Sequence, residues 1–177
     1  MNVLIETELG NIIIELYLER APITAANFLR YVDENRFAGA CFYRVLQVNN
    51  QPNNDTKIEV IQGGLKDEDH PQSLPTILHE TTNQTGILHK DGVISMARNE
   101  PGTASSDFFI CINDQPELDF GGKRNPDGQG FAAFGKVIEG MDVVKKIQSQ
   151  PQDGQYLLTD IQILNVKRSS NSRNKEK

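Results

Sequence analysis

Few side chains in this sequence are spaced for bond-making chemistry. The histidines are His70, His79 and His89. No pair has the H-E-x-x-H spacing that sets two imidazoles on one helix face over a zinc ion, so they read as scattered surface histidines. Ser105-Ser106-Asp107 puts hydroxyls beside a carboxylate, but neighbours along a strand point to opposite faces, which would separate a nucleophile from its acid. No G-x-S-x-G elbow exposes a serine. The Gly121–Gly130 stretch holds Lys123 and Arg124, yet it is not set between a strand and a helix, as a phosphate-binding loop requires. Cys41 and Cys111 form no C-x-x-C pair and flank apolar residues, which suits buried free thiols better than a zinc site.

Bulk properties bound the rest. A chain of 177 residues suits one domain with a real core. No apolar run approaches the roughly 18 residues of a membrane span. The opening Met1-Asn2-Val3-Leu4-Ile5-Glu6 lacks the basic segment and long apolar stretch of a signal peptide. A cytoplasmic location is the expectation, with a periplasmic or secreted one the alternative if a leader has been removed. Net charge is −6, unevenly spread: residues 167–177 carry five basic residues and one acid, leaving 13 basic and 23 acidic residues elsewhere, a net of −10. An acidic body disfavours binding to a phosphate backbone.

The elements that would position any site follow from periodicity. Residues 2–8 and 11–18 read as a hairpin around Leu9-Gly10, with Ile12, Ile14, Leu16 and Leu18 alternating against the other face. Pro22 opens a helix whose Ala25, Phe28, Leu29 and Val32 share one face. Strands are expected at 42–48, 58–62, 92–98, 107–113, 131–137 and 156–167, with loops at 49–57 and 121–130. A second helix is expected at 141–149, with Met141, Val144 and Ile147 on one face and Pro151 beyond its end. The domain is placed at 1–168, and 169–177 reads as a polar, basic, disordered tail. Strands without regular helical crossovers argue for an antiparallel barrel closed by helices over a doubly wound sheet. Periodicity alone leaves a sandwich open.

Five segments in order, Phe42-Tyr43-Arg44-Val45, Ile61-Gln62-Gly63-Gly64, Gly92-Val93-Ile94-Ser95-Met96-Ala97, Ser106-Asp107-Phe108-Phe109-Ile110 and Phe134-Gly135-Lys136-Val137, closely resemble cyclophilin-type peptidyl-prolyl cis-trans isomerases. The similarity runs from about Ile5 to Val166 and suggests a divergent, bacterial-like single-domain member. It implies a mainly β fold, a closed eight-stranded antiparallel barrel capped by two α-helices. It also implies an isomerase without cofactor or metal that acts on proline-containing polypeptides; nothing marks a dimer interface, so a monomer is expected, and charge and hydropathy point to neither nucleic acid nor membrane as partner. By the same resemblance Arg44 is the catalytic cation, Gln62 orients it, and Phe109 floors the proline pocket. Val60, Leu118 and Phe131 stand at other pocket walls. Ala97 and Arg98 match the segment whose backbone binds the extended peptide.

Departures from the family pattern cluster at the groove. Glu117 stands where many cyclophilins carry tryptophan, which implies weak cyclosporin binding. Phe131 replaces a histidine, Glu59-Val60 a Phe-Met pair, Arg98 an asparagine, and Asp107, also counted among the substrate-binding positions, a glutamine. Glu59 and Asp107 would order Arg44 or divert it if the fold brings them close. The 48–57 loop is longer than in compact relatives and either shapes a groove edge or is a tolerated insertion. Two readings stay open: an active isomerase, or a proline-peptide binding or chaperone-like module with weak turnover on the same fold.

Overall fold

The alternation in the first hairpin is realised directly. In the computed structural model, which describes residues 1–170, β1 (Asn2–Thr7) and β2 (Gly10–Leu16) pair in antiparallel register and bury Val3, Ile5, Ile12, Ile14 and Leu16. Six further strands complete the barrel: β3 (Cys41–Leu46), β4 (Val60–Gly64), β5 (Val93–Met96), β6 (Phe108–Cys111), β7 (Ala133–Glu139) and β9 (Tyr156–Ser169). A two-residue strand, β8 (Gln152–Asp153), pairs only with β9. The order β1-β2-β7-β5-β6-β4-β3-β9 closes through antiparallel pairing of β9 with β1. The barrel is therefore the eight-stranded antiparallel one expected, and closure leaves it without a free edge.

Three helices accompany it: α1 (Pro22–Asp33), the single-turn α2 (Thr82–Thr85) and α3 (Met141–Gln148). The extra helix is too short to leave a periodic signal; a capping box of Thr81 and Gln84 sets it. Helix α1 starts at Ala21, which has no capping side chain. Buried Glu80 supplies the missing acceptor, taking hydrogen bonds from the Thr24 backbone N–H (2.7 Å) and hydroxyl (2.6 Å). A carboxylate there also suits the positive end of the helix dipole.

The main core lies inside the barrel and under α1, where Phe28, Phe37, Phe42, Phe108 and Phe134 meet at centroid separations of 5.1–5.9 Å. A second apolar cluster forms on the barrel's outer face from Leu46, Ile58, Val60, Phe109, Cys111 and Leu118, with Ala97 and Phe131 against it.

Several boundaries differ from expectation. Strand β4 starts at Val60 because the Ile58 N–H and C=O are both taken by the Gln51 side chain (3.2 and 2.8 Å). Ser169 is no part of a tail: it ends β9, opposite Asn2. Ser170 follows the strand, and 171–177 of the expected tail lie outside the described residues. His89 is not on the surface but buried, whereas His70 and His79 are partly exposed. Ser106 and Asp107 precede β6, so strand geometry does not separate them, and the Ser106 hydroxyl donates to Asp107 (2.9 Å). Cys41 and Cys111 are buried free thiols, as expected. Burial raises the Cys41 thiol to about 11 and lifts Cys111 well above its usual range.

Candidate active site

Arg44 reaches the outer face through an irregularity that alternation does not predict. Strict period two would place Phe42 and Arg44 on one face. Instead a bulge inserts one residue: Phe42 pairs with Gly63 and Arg44 with Gln62, leaving Tyr43 unmatched between them. Phe42 and Val45 then both point into the barrel core, while Tyr43 and Arg44 both line the outer groove. Re-aiming a side chain is a common use of a bulge. The neighbouring glycines make room for it. A Cβ on Gly63 would lie 2.8 Å from both the Cys41 carbonyl oxygen and the Phe42 ring. Gly64 has φ +137°, and a Cβ there would collide with the Asp107 carboxylate and Cα.

The Arg44 guanidinium is held by neutral amides. Nη1 donates to Gln62 Oε1 (3.2 Å), and Nε and Nη2 both donate to Gln155 Oε1 (3.1 and 2.6 Å). Gln62 Nε2 then donates to the Tyr43 hydroxyl (2.9 Å), which donates to the Asp107 carboxylate. The chain runs in one direction, from the cation through two neutral groups to the anion. Asp107 also accepts from the Lys66 backbone N–H (3.2 Å). Burial, and then the Asp107 charge, raise the Tyr43 pKa, so the phenol stays protonated and keeps donating. Asp107 thus orders Arg44 at a distance without pairing to it. Glu59 accepts from Asn113 Nδ2 (2.8 Å) and does not line the groove. Glu117, which accepts from the Lys123 N–H (2.8 Å), does not line it either.

Beside the cation lies an apolar pocket. Val60, Phe109 and Leu118 are buried walls, and Phe131 stands edge-on to Phe109 at 5.2 Å and 87°. Behind Phe109 the His89 ring stacks at 6.0 Å and 14°. His89 is fixed by Asp119 at Nδ1 (2.7 Å) and Ser95 at Nε2 (2.8 Å). That trio has the connectivity of a hydrolase triad. Ser95 and His89 are 0% and 1% exposed, so no substrate reaches the hydroxyl, and the trio instead braces the pocket floor.

Arg98 performs a different task from Arg44. Its side chain is 2% exposed and forms a two-point ion pair with Asp127 (2.9 and 3.0 Å). It also donates to the Gly130 carbonyl (3.0 and 2.6 Å) and lies 5.2 Å from the Phe131 ring centroid. The Arg98 hydrogen bonds hold the Asp127 carboxyl below its ordinary range. This clasp ties the Arg98 side chain to the 121–130 loop and sets it against Phe131. The Ala97 N–H is taken by the Asp107 carbonyl (2.9 Å).

All nine residues named from the sequence line one groove of about 380 Å3: Arg44, Gln62, Phe109, Val60, Ala97, Arg98, Asp107, Leu118 and Phe131. Tyr43 and Gln155 were not among them. Tyr43 was hidden by the bulge. Gln155 lies in the turn before β9, 111 residues from Arg44, and gives no periodic or motif signal. The 49–57 loop supports Gln155. The Asn50 carbonyl accepts from Gln155 Nε2 (3.2 Å), and Asn50 Nδ2 donates to the carbonyls of Val45 (3.0 Å) and Gly154 (3.2 Å). That loop therefore braces Gln155, although none of residues 49–57 lines the groove itself. No group of acids, histidines and cysteines suited to a metal ion occurs among the described residues.

A closed antiparallel barrel with an aromatic pocket beside a guanidinium on its outer face is the architecture of a prolyl isomerase. The profile of the family described as "Cyclophilin type peptidyl-prolyl cis-trans isomerase/CLD" matches residues 2–168. A peptidyl-prolyl cis-trans isomerase of Acinetobacter baylyi is 39% identical over 147 residues, covering 82% of this chain and 71% of that protein. Isomerase B of Escherichia coli is 32% identical, covering 80% of each chain. A crystal structure of a cyclophilin type isomerase from Cryptosporidium parvum has a TM-score of 0.72 at 21% identity, covering 96% of this chain and 98% of that one. A second crystal structure of that protein, obtained in the presence of the dipeptide Ala-Pro, has a TM-score of 0.73 at 21% identity, covering 97% and 100%. The chain belongs to the cyclophilin-type peptidyl-prolyl cis-trans isomerase family.

Proposed function

We propose that the groove accelerates rotation about X-Pro bonds in flexible or unfolded polypeptides, with Arg44 stabilising the twisted amide. The barrier to rotation is the loss of amide resonance, roughly 18–20 kcal/mol for a peptide bond. A catalyst lowers it by binding the twisted form better than the planar one. In the twisted form the prolyl nitrogen becomes pyramidal and regains a lone pair. A guanidinium N–H can donate to that lone pair, and arginine stays protonated at any working pH.

The observation that carries this reading is the neutral pairing of Arg44. Its five donors are only partly used, by Gln62 and Gln155. No carboxylate among the described residues forms an ion pair with it. The charge is oriented yet not neutralised, beside a pocket of Val60, Phe109, Leu118 and Phe131 sized for an apolar ring. An aromatic wall supplies contact area to a proline without demanding a hydrogen bond. Proline-containing polypeptides are the proposed partners.

The test is the cis–trans exchange rate of a short X-Pro peptide, measured with the native chain and with Arg44→Ala. The native protein should accelerate exchange, and Arg44→Ala should lose about a hundredfold of that acceleration, the usual scale for removing one transition-state donor. Binding of the peptide by folded native protein without acceleration would replace the enzyme reading with that of a proline-peptide binding module. Native-level activity in Arg44→Ala would remove Arg44 from the mechanism.

A further inference from the structure

One end of the groove holds hydrogen-bond donors and positive charge without a matching acid. Arg124, from the 121–130 loop, lines the groove together with Arg44 and Asn125. Its Nη1 donates to two neutral oxygens, Gln51 Oε1 (2.9 Å) and the Thr56 carbonyl (2.7 Å). These bonds hold the guanidinium through the buried Gln51, which also fixes both backbone groups of Ile58. Nε and Nη2 of Arg124 have no acceptor among the described residues. Asn125 adds an independent sign: its Nδ2 is buried and has no hydrogen-bond partner. A buried donor left unpaired is costly, and such sites usually await an acceptor.

The acids that line the groove are engaged at its other end. Asp107 accepts from Tyr43, Lys66 and Ser106, Glu68 accepts from Asn99, and Asp67 accepts from the Asp69 backbone N–H (3.0 Å). Neither Arg44 nor Arg124 forms an ion pair with any acid among the described residues. Burial lowers the Arg124 pKa, and the charge of Arg44 lowers it further. Two cations that repel one another and face one cavity favour an anion between or beside them.

We propose that Arg124 and Asn125, reinforced by the Arg44 charge, form an anion subsite that selects substrate peptides carrying a carboxylate next to the isomerised X-Pro bond. The inference rests on the isomerase reading above and adds the substrate class. The carboxylate comes from an aspartate or glutamate side chain or from the chain's own C-terminus. Arg124 and Asn125 hold it, and Arg44 stays free to donate to the prolyl nitrogen.

The experiment compares exchange catalysis, as kcat/KM at low salt, on amidated peptides that differ only in Glu or Gln immediately before or after proline. A further pair ends one residue after proline as a free carboxylate or as an amide. The native chain should favour the carboxylate form in at least one pair by about tenfold, the scale of one well-placed charge contact of ~1.4 kcal/mol. The preference should shrink in 1 M salt, where screening acts over about 3 Å. In Arg124→Gln the ratio should approach one, and in Arg124→Lys it should persist, which separates loss of charge from loss of fold. The pair that shows the preference identifies side chain or terminus as the source. Equal rates within every pair, or a ratio unchanged in Arg124→Gln, would overturn the subsite while leaving the isomerase intact. If no peptide is accelerated the isomerase reading fails, and the same comparison is read from peptide affinities, where equal affinities overturn the subsite as well.

Discussion

Arg44 and Arg98 line one groove and are treated in opposite ways. Arg98 is shut away, 2% exposed, and neutralised by Asp127 through two short bonds. Arg44 is half-buried, and among the described residues its guanidinium donates only to the side-chain oxygens of Gln62 and Gln155. The partners explain the division of labour. An ion pair fixes a wall but leaves no field for a ligand. Amide oxygens also orient a guanidinium, through directional hydrogen bonds, and the full positive charge stays available. On the proposed mechanism the groove thus separates a region that holds its shape from a region that acts on the peptide.

That contrast can be broken from either side. On the holding side the effect should be on stability. Asp127→Ala leaves the enclosed Arg98 charge without its anion and should cost about 2 kcal/mol of stability in urea unfolding, the scale for losing hydrogen bonds to a charged group. A change within a few tenths would place Arg98 among ordinary surface arginines. On the acting side, Gln155→Ala should lower kcat about tenfold (~1.4 kcal/mol in the barrier) with KM and unfolding midpoint nearly unchanged. A matching loss of stability would make Gln155 a packing residue. Asn50→Ala loosens Gln155 only indirectly and should lower kcat about threefold, well under the ~1.4 kcal/mol of a tenfold change.

Acidity sharpens the same contrast. Hydrogen bonds from Arg98 depress the folded Asp127 pKa below its unfolded value of about 3.9. The stability from this clasp is complete above that unfolded value and is lost as the pH falls through the folded one. Urea midpoints measured against pH should therefore show an acid-limb loss that is smaller in Asp127→Asn, a variant unable to titrate at that position. An identical acid limb in both proteins would remove Asp127 as its source.

Much of this was legible in the sequence for a physical reason. Period-two alternation at Ile12, Ile14 and Leu16, and the helical face of Ala25, Phe28 and Val32, are imposed by burial inside one barrel, so local pattern reports global structure there. The ordered segments around Arg44, Gln62 and Phe109 located the groove. What escaped depends on contacts between distant residues. The bulge that turns both Tyr43 and Arg44 outward breaks the very alternation used to read strands. Gln155 and Gln51 are glutamines in loops, with nothing local to mark one as a clamp and the other as a buried hub. His89 looked like a surface residue because its partners, Asp119 and Ser95, come together only in the fold. Arg98 matched a peptide-binding segment, but its side chain is spent on Asp127 and Gly130.

On the proposed mechanism the Arg44 charge is useful because its partners are neutral. The most direct measurement is the saturating exchange rate of an X-Pro peptide with Gln155→Glu beside Gln155→Ala, both verified as folded. A carboxylate at this position keeps an acceptor within reach of Nε and Nη2 while neutralising the cation. The account predicts that Gln155→Glu is slower than Gln155→Ala by a further factor of about ten, ~1.4 kcal/mol in the barrier. A Gln155→Glu rate equal to that of the native chain would contradict it, since an ion-paired arginine would then serve as well as an unpaired one.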